Sequence, residues 1–572
     1  MGAAWSLPGM GKGGEVRRTT LKLAPLAAIA AVAMIVVGSV SGAGQGSHKA
    51  SKTTTLVFAG AADPVVLDGV LVSDGESLRA VTQIFDTLVT LKPGTTTVVP
   101  DLATSWKSSG HGKTWTFHLR HGIKFQDGTK FNSKAVCYNF NRWYNFTGAL
   151  QDPDATYYWQ TVFLGFHHNA AGSGLQTSLF KSCTARGSYT VKVKLAKSFG
   201  PFIPAMSLPS FSMASPKALR KYHANCAHVT NGVFVPCGSY GFKHPTGTGP
   251  FMFKSWQIGN RLVLVRNPHY WGKKAKLSRL IIRPIGDATA RLQALQTGEI
   301  QGYDLVSPEH IKVIKHSSKL KLLKRPAFDV GYVTLHQGPG SPMNSLKVRQ
   351  AVAYGLNRKA LVRIAYPPGS AVAKEFQPPQ LFGWTKKVKQ YSYNPTKARS
   401  LLNSSPCHVP CHVDFWYPSS VSRPYMPDPK RNFEVFQATL QASGFRVTAH
   451  TAPWRPDYVK HVNDGTAGDL NLIGWIGDYG DPDDWLGIFF GAYSGQFGFH
   501  NAKIFNILQK ARQSTNQSKR IALYQKANQM IMKYLPGVPY VHSPSYLAFQ
   551  KRVHGYHPSP VGLESFKNVY FK

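Results

Sequence analysis

The densest group of side chains that could do chemistry is a run of aspartates just after a tryptophan. Asp478, Asp481, Asp483 and Asp484 follow Trp475 within a short stretch. A fixed carboxylate can hold a cation in a poorly hydrated site, and an indole ring can supply an apolar or cation–π wall. Two alternatives stay open, a solvated loop and a calcium site, although the spacing lacks the glycine and terminal glutamate of an EF-hand loop.

The six cysteines are the second such group. If the chain is exported, they can form up to three disulfides. Short spacings favour local bridges, so the candidate pairs are Cys226 with Cys237, Cys407 with Cys411, and the remaining Cys137 with Cys183. Metal chelation by the segment CHVPCH at 407–412 is the alternative, but its spacing matches no standard zinc signature.

The N-terminal segment resembles an export signal. Arg17 and Arg18 precede a nearly apolar stretch, 23–40, and the small residues 41–43 suit a signal-peptidase site. We expect 1–43 to be a cleaved signal peptide or, alternatively, an N-terminal membrane anchor. The Gly-, Ser-, Lys- and His-rich residues 44–52 are expected to be a flexible lead-in.

The charge balance is strongly basic. Lys and Arg number 67 against 27 Asp and Glu, a formal net charge of +40 in 572 residues. The basic residues are scattered singly and form no long block, which argues against specific nucleic-acid binding. We expect instead either contact with an anionic cell wall or lipid surface or adaptation to acid, where fewer carboxylates leave fewer groups to protonate.

Sequence signatures of enzymes are missing. The chain has no G-x-S-x-G elbow, P-loop, H-E-x-x-H or C-x-x-C motif. Ser, His and Asp are abundant, but abundance makes no catalytic triad without geometry. We therefore predict a protein that is not an enzyme and needs no cofactor. A secreted peptidase is the alternative from a different functional class.

Both strands and helices are predicted to position these residues. Alternating apolar residues predict strands at 55–59, 114–119 and 189–195. Helical periodicity appears at 287–297, 347–364 and 504–534. Helices and strands mixed over this length predict an α/β or α+β architecture of two or three domains.

Six segments resemble the extracellular solute-binding proteins of family 5, the oligopeptide-, dipeptide- and nickel-binding group, and occur in the family's order. They are PDLATSW at 100–106, KTWTFHLR and GIKFQDG within 113–128, GTGPF and NPHYW within 247–271, TGEI at 297–300, VRQAVAY and NR within 348–358, and WIGDYGDP at 475–482. A single match of this kind would be weak; six in order indicate the family.

The resemblance implies an α/β fold, a two-lobed periplasmic-binding-protein-like clamshell of type II in its large three-domain variant. The expected domains are domain I in three pieces, 53–85, 246–325 and 533–572, domain II at 86–245 and domain III at 326–532. The ligand is expected between domains I and III, which close by a hinge.

The resemblance also implies ligand contacts. It places the carboxylate that grips a peptide's amino terminus at Asp478, beside Trp475. Main-chain contacts are expected from the first domain I segment, at Ala62 and Asp63. The cation for the ligand's carboxylate is undecided among Arg423, Arg431 and Arg455. Trp454 is a further candidate for the pocket wall.

The function that the resemblance implies is capture of short peptides outside the cytoplasm and their delivery to the membrane permease subunits of an ABC importer. We expect an exported monomer, periplasmic or extracellular and associated with the cell surface. Receptors for oligosaccharide, nickel or another metal chelate, or haem are the alternatives on the same fold.

Overall fold

The computed structural model describes residues 54–230, 233–419 and 421–572, with the side chains of 455 and 456 left out of the description. The signal and lead-in predicted for 1–52 therefore lie outside the described residues. Residues 53–572 group into one unit by their internal contacts, and the domain limits given above stay a prediction.

The strands are short and spread over the whole described chain. They are β1 Thr55–Gly60, β2 Val89–Leu91, β3 Val98–Pro100, β4 Ala103–Ser109, β5 Thr114–Leu119, β6 Phe180–Arg186, β7 Thr190–Leu195, β8 Ala227–Thr230, β9 Val233–Pro236, β10 Phe251–Gln257, β11 Arg261–Arg266, β12 Arg279–Pro284, β13 Gly302–Tyr303, β14 Leu320–Arg325, β15 Asp329–Leu335, β16 Cys411–Ser419, β17 Phe445–Pro453, β18 Leu470–Ile476, β19 Gly537–Val541, β20 Ser545–Gln550, β21 Val553–His554 and β22 Tyr570–Phe571.

The α-helices range from a single turn to eighteen residues. They are α1 Gly75–Ile84, α2 Ser133–Tyr144, α3 Tyr157–Phe163, α4 Phe202–Ala205, α5 Pro216–Lys221, α6 Tyr240–Lys243, α7 Ala288–Thr297, α8 Ile311–His316, α9 Leu346–Gly355, α10 Arg358–Ala365, α11 Pro395–Asn403, α12 Pro429–Ala442, α13 Val459–Asp464, α14 Leu486–Phe490, α15 Ala502–Gln513 and α16 Gln517–Tyr534. No helix in the described part of the chain combines the length and apolar character that crossing a bilayer requires.

The first lobe, 54–325 with 545–572, is built on a seven-stranded mixed sheet in the order β10-β11-β12-β1-β13-β20-β14. Its central strand β1 pairs with β12 and β13, and its Leu56 and Phe58 are completely buried in the hydrophobic core that packs on the sheet. The same lobe carries an antiparallel sheet in the order β4-β5-β7-β6. A disulfide between Cys137 of α2 and Cys183 of β6 joins that sheet to the helix packed on it.

The second lobe, 329–541, is built on a five-stranded sheet in the order β17-β16-β18-β15-β19. Strand β16 runs parallel to both β17 and β18, whereas β15 runs antiparallel to its two neighbours. All seven residues of β15 are buried. Two further disulfides, Cys226–Cys237 and Cys407–Cys411, are local to the first and second lobes respectively.

Only two chain segments connect the two sheets in the described structure. Residues 326–328 lead from β14 to β15, and residues 542–544 lead back from β19 to β20. The backbone N–H of Ser543 donates to Oδ1 of Asp329 at 2.8 Å, so the two segments are tied to each other. Short connections of this kind are where a hinge between two lobes can bend.

Two helices predicted as continuous are each broken. The periodic segment 347–364 forms α9 and α10, because Asn357 caps the second helix through a hydrogen bond from the N–H of Ala360 at 3.0 Å. The segment 504–534 forms α15 and α16, and Asn516 caps α16 in the same way through Lys519. An asparagine side chain that satisfies a helix's first free N–H groups competes with continuation of the preceding helix.

Candidate functional site

The candidate site begins at one edge of the five-stranded sheet. Strands β17, β16 and β18 are parallel, so their carboxyl ends meet at the same edge. In open α/β sheets ligands bind in the crevice outside such ends. Trp454 directly follows β17, Arg423 follows β16, and Trp475 with Asp478 stands at the end of β18. The sheet thus brings four predicted site residues to one edge.

Trp475 and Asp478 present unused polar atoms at this edge. Both residues are partly exposed, yet Nε1 of Trp475 and Oδ2 of Asp478 are buried and have no hydrogen-bond partner among the described residues. Buried polar atoms are nearly always hydrogen-bonded in native proteins. A free donor and a free acceptor on partly exposed residues at one sheet edge are therefore typical of a site that a polar ligand completes.

Aromatic rings from both lobes enclose this pair of residues. The ring of Trp475 lies 6.1 Å, centroid to centroid, from Tyr157 of the first lobe and 5.8 Å from Phe489 of the second. Sequence analysis did not identify Tyr157 or its neighbour Tyr158 as site residues. They lie far from Asp478 in sequence, and no motif marks them.

The other aspartates of the loop have structural partners, and the loop is not solvated. Asp481 accepts two hydrogen bonds of 2.7 Å from Arg520, and Asp483 lies 3.5 Å from Arg512. Asp484 is fully buried and accepts the backbone N–H of Asp478 at 2.7 Å through Oδ2. Asp478 is therefore the aspartate of this loop best placed to meet a ligand.

The electrostatics around Asp478 also favour a cationic ligand. Burial raises the pKa of Asp478 to about 7, although hydrogen bonding to Tyr158 and to Asp484 lowers it in part. Burial and the negative charge of Asp478 likewise raise the pKa of Asp484. Two buried carboxyl groups without a cation disfavour each other's ionisation, and a bound cation would relieve that cost.

Arg423 and Trp454 stack on each other. The guanidinium carbon of Arg423 lies 5.1 Å above the Trp454 ring, and Trp454 stacks on Tyr458 at 6.0 Å. Trp454 opens a five-residue π-helical turn, Trp454–Tyr458. Arg423 is half-buried and makes no ion pair with a described carboxylate, so its charge is available to a ligand.

The remaining predicted residues are placed less favourably. Arg431 is exposed in the first turn of α12, where its backbone N–H donates to Asp428 at 3.0 Å. The side chain of Arg455 is outside the described part. Ala62 is exposed. The carboxylate of Asp63 accepts hydrogen bonds from Trp256 Nε1 at 3.0 Å and from a backbone N–H of the β10–β11 hairpin at 2.6 Å.

No metal centre accompanies these residues. Within the described ranges, no three or more His, Cys, Asp and Glu side chains are arranged to hold a metal ion. The segment 407–412, considered above as a chelator, contains the disulfide Cys407–Cys411. Disulfide sulfurs are not thiolates, the form in which cysteine ligates metal.

Comparison with known proteins identifies the fold and the family. The model of the bacterial extracellular solute-binding proteins, family 5 middle region, matches residues 97–497. The chain belongs to this family. The predicted fold class, the two-lobed clamshell, is thereby confirmed, and so is the resemblance drawn from the six segments.

Individual relatives align with this chain over nearly its whole length. A dipeptide-binding protein of Escherichia coli is 29% identical over 90% of this chain and 94% of its own length. Heme-binding protein A of Haemophilus influenzae is also 29% identical, over 92% of this chain and 94% of its own length. Among solved structures, a periplasmic binding protein of Helicobacter pylori in complex with the peptide STSA superposes with a TM-score of 0.76 at 27% identity. The superposition covers 91% of this chain and 99% of the Helicobacter pylori chain.

Proposed function

We propose that this family 5 protein captures short peptides between its two lobes and delivers them to the permease of an ABC importer. The observation that carries the proposal is that the partly exposed Asp478 has a buried Oδ2 with no hydrogen-bond partner among the described residues. A peptide's α-ammonium group is a compact cation with three donors, and a carboxylate held in a poorly hydrated cleft can bind it through charge-assisted hydrogen bonds. The curated dipeptide-binding relative and the solved peptide complex support this ligand class.

Arg423 is our proposed partner for the peptide's carboxylate. It stands at the same sheet edge as Asp478, lies over Trp454 and makes no ion pair with a described carboxylate. An arginine fork can bind a carboxylate in bidentate fashion. Two opposite charges at one edge suit a zwitterionic ligand better than a neutral sugar.

The role is capture outside the cytoplasm and not cleavage. Family 5 relatives are solute-binding proteins, and we propose an exported monomer that meets permease subunits at the membrane. Incubation with peptides followed by mass spectrometry tests this directly: intact peptides are expected. Cleavage products would favour the peptidase alternative.

The deciding experiment compares Asp478→Asn with Asp414→Asn. Asp414 is an exposed carboxylate that lies 3.0 Å from His450, so its replacement removes one charge away from the site. By titration calorimetry with di- and tripeptides, Asp478→Asn is expected to lose at least 100-fold in affinity, since a charged hydrogen-bonded partner is removed from a buried site. Asp414→Asn should bind like the wild type.

The same titration separates the alternatives. Oligosaccharide, nickel chelate and haem are offered in parallel to wild-type protein, and each bound ligand should raise the melting temperature by mass action. Wild-type protein that binds one of these and no peptide would overturn the proposal.

A further inference from the structure

The antiparallel sheet β4-β5-β7-β6 of the first lobe has two very different faces. Its inner face packs Trp115, Phe117, Val191 and Val193 into the core beneath α2. Its other face, called the outer sheet face from here on, is exposed or half-buried along every strand. The outer sheet face comprises Ser105, Lys107, Ser109, Thr114, Thr116, His118, Ser182, Thr184, Arg186, Thr190, Lys192 and Lys194.

The strand register orders these residues into rows of cations and hydroxyls. Lys107 stands opposite Thr116, Thr116 opposite Lys192, and Lys192 opposite Thr184, so one row crosses all four strands. The neighbouring row contains Arg186, and the row on the other side contains Lys194. The first row alternates lysines with threonines across a width of about 15 Å, and each neighbouring row adds one further cation.

No carboxylate neutralises this charge. Strands β4 to β7 contain no Asp or Glu at all, and Lys107, Arg186, Lys192 and Lys194 make no ion pair with any described residue. Lys192 and Lys194 lie two residues apart on the same face of β7, and like charges at such a separation repel each other, so the arrangement has a cost within the protein alone. An anionic partner would turn that cost into an attraction.

One corner of the outer sheet face opens into a recess. This cavity of about 460 Å³ is lined by Thr104, His118, Thr190, Arg120 and Trp271, among others, and none of its lining residues is acidic. The guanidinium carbon of Arg120 lies 5.1 Å above the Trp271 ring. A phosphate group entering the recess would therefore meet an arginine and hydroxyl donors.

We propose that the outer sheet face docks the protein on the anionic headgroups of a phospholipid bilayer. The four strands present their cations on one face that an extended anionic surface can cover, and each Lys or Arg near such a surface adds to the attraction. Apart from Tyr189 and Trp271 in the recess at its corner, the face carries no Trp, Tyr or Phe on which bases could stack, unlike proteins that bind single-stranded nucleic acid. It also projects no helix or narrow ribbon that could enter a DNA groove.

The test is co-sedimentation of the mature protein with vesicles of phosphatidylcholine, alone or mixed with phosphatidylglycerol. Wild-type protein should bind only the mixed vesicles, and added salt should weaken that binding. The variant Lys107→Gln/Arg186→Gln/Lys192→Gln/Lys194→Gln should partition at least 100-fold less at low ionic strength.

The control variant removes the same charge from the second lobe: Lys386→Gln/Lys387→Gln/Lys389→Gln/Lys503→Gln, all exposed positions. It should bind mixed vesicles nearly as well as wild type, and both variants should keep the wild-type melting temperature. Equal losses in both variants would show that net charge and not this face drives binding, and would overturn the proposal. Binding to DNA or to a phosphate-bearing wall polymer without binding to mixed vesicles would overturn it as well.

Discussion

Two aspartates three positions apart show how strongly local environment sets the role of a residue. Asp481 has both oxygens occupied by the guanidinium of Arg520 at 2.7 Å, which makes it a fixed part of the loop. Asp478 has a buried oxygen with no described partner and a pKa raised by burial. The first carboxylate stabilises the loop, and the second is suited to bind a ligand's positive charge.

The raised pKa of Asp478 predicts that peptide affinity depends on pH. With a pKa of about 7 in the free protein, the carboxyl must lose its proton before it can pair with an ammonium group. Affinity should fall about tenfold per pH unit below 7 and should also fall above about pH 8, where the peptide's own amino group deprotonates. Titration calorimetry at pH values from about 5 to about 9 measures this dependence of peptide affinity on pH.

The same titration has a built-in check on the mechanism. Repeating it in buffers of different ionisation enthalpy should reveal release of protons on binding below pH 7. The stability of the ligand-free protein should depend on pH in the opposite sense to peptide affinity. The raised pKa of Asp478 in the folded state favours folding at low pH, and this contribution to the free energy of unfolding is lost as pH rises through about 7. Affinity that is equal at pH 5 and pH 7 would contradict the role given to Asp478.

At the scale of elements, the three disulfides constrain loops of very different length. Cys137–Cys183 spans 46 residues and ties α2 to β6, Cys226–Cys237 spans 11, and Cys407–Cys411 spans 4. A longer closed loop removes more entropy from the unfolded chain. The bridge beneath the outer sheet face should therefore contribute most to stability.

Replacing each pair by alanine tests that ranking. Loss of Cys137–Cys183 should lower the free energy of unfolding by about 4 kcal/mol, and loss of Cys407–Cys411 by about 2 kcal/mol. Chemical denaturation of the mature chain measures both, with the short-loop variant as the matched control. The ranking is refuted if the long-loop variant is destabilised no more than the short-loop one.

At the scale of the whole molecule, the ligand loop also forms part of the contact between lobes. Tyr479 is buried in the hydrophobic core of the first lobe although the loop that carries it follows β18 of the second lobe. Arg512 adds a hydrogen bond of 3.0 Å to the carbonyl of Thr161, and its own carbonyl accepts the N–H of Gly200 at 2.7 Å. The ligand loop and α15 of the second lobe therefore both contact the first lobe in this structure.

A single methyl group at Gly480 should hold the lobes apart. A Cβ there would lie 2.7 Å from the backbone oxygen of Thr96 and 2.8 Å from its Cβ, whereas a Cβ at Gly75 would meet nothing within 4 Å. Gly480→Ala should thus weaken peptide binding at least tenfold, because part of the binding free energy must go into moving the added methyl group and Thr96 apart when the lobes close on the peptide. Gly75→Ala is the matched control.

Small-angle X-ray scattering with and without peptide gives the structural readout. Wild type and Gly75→Ala should contract on binding, and Gly480→Ala should contract less at saturating peptide. Equal contraction together with wild-type affinity in Gly480→Ala would show that the loop does not limit closure.

Much of the fold could be predicted from the sequence because it depends on local pattern. Alternation of apolar residues located β1, β5 and β7. The periodic segment 287–297 is α7, which ends before Gly298, where that glycine adopts φ +85°. The six family segments led to the two-lobed fold. The breaks at Asn357 and Asn516 were missed, because helical periodicity continues across each cap.

By itself the sequence determined the family, the α/β architecture and the aspartate-rich loop that follows β18. Only the tertiary structure decided that Asp478 is the one partly exposed aspartate of the four, that Tyr157 and Tyr158 approach it from the other lobe, and that the lysines of β4 and β7 share one open face. The physical reason is the same in each case. Burial and charge pairing depend on atoms that are distant along the chain, and those atoms meet only when the sheets and lobes have packed.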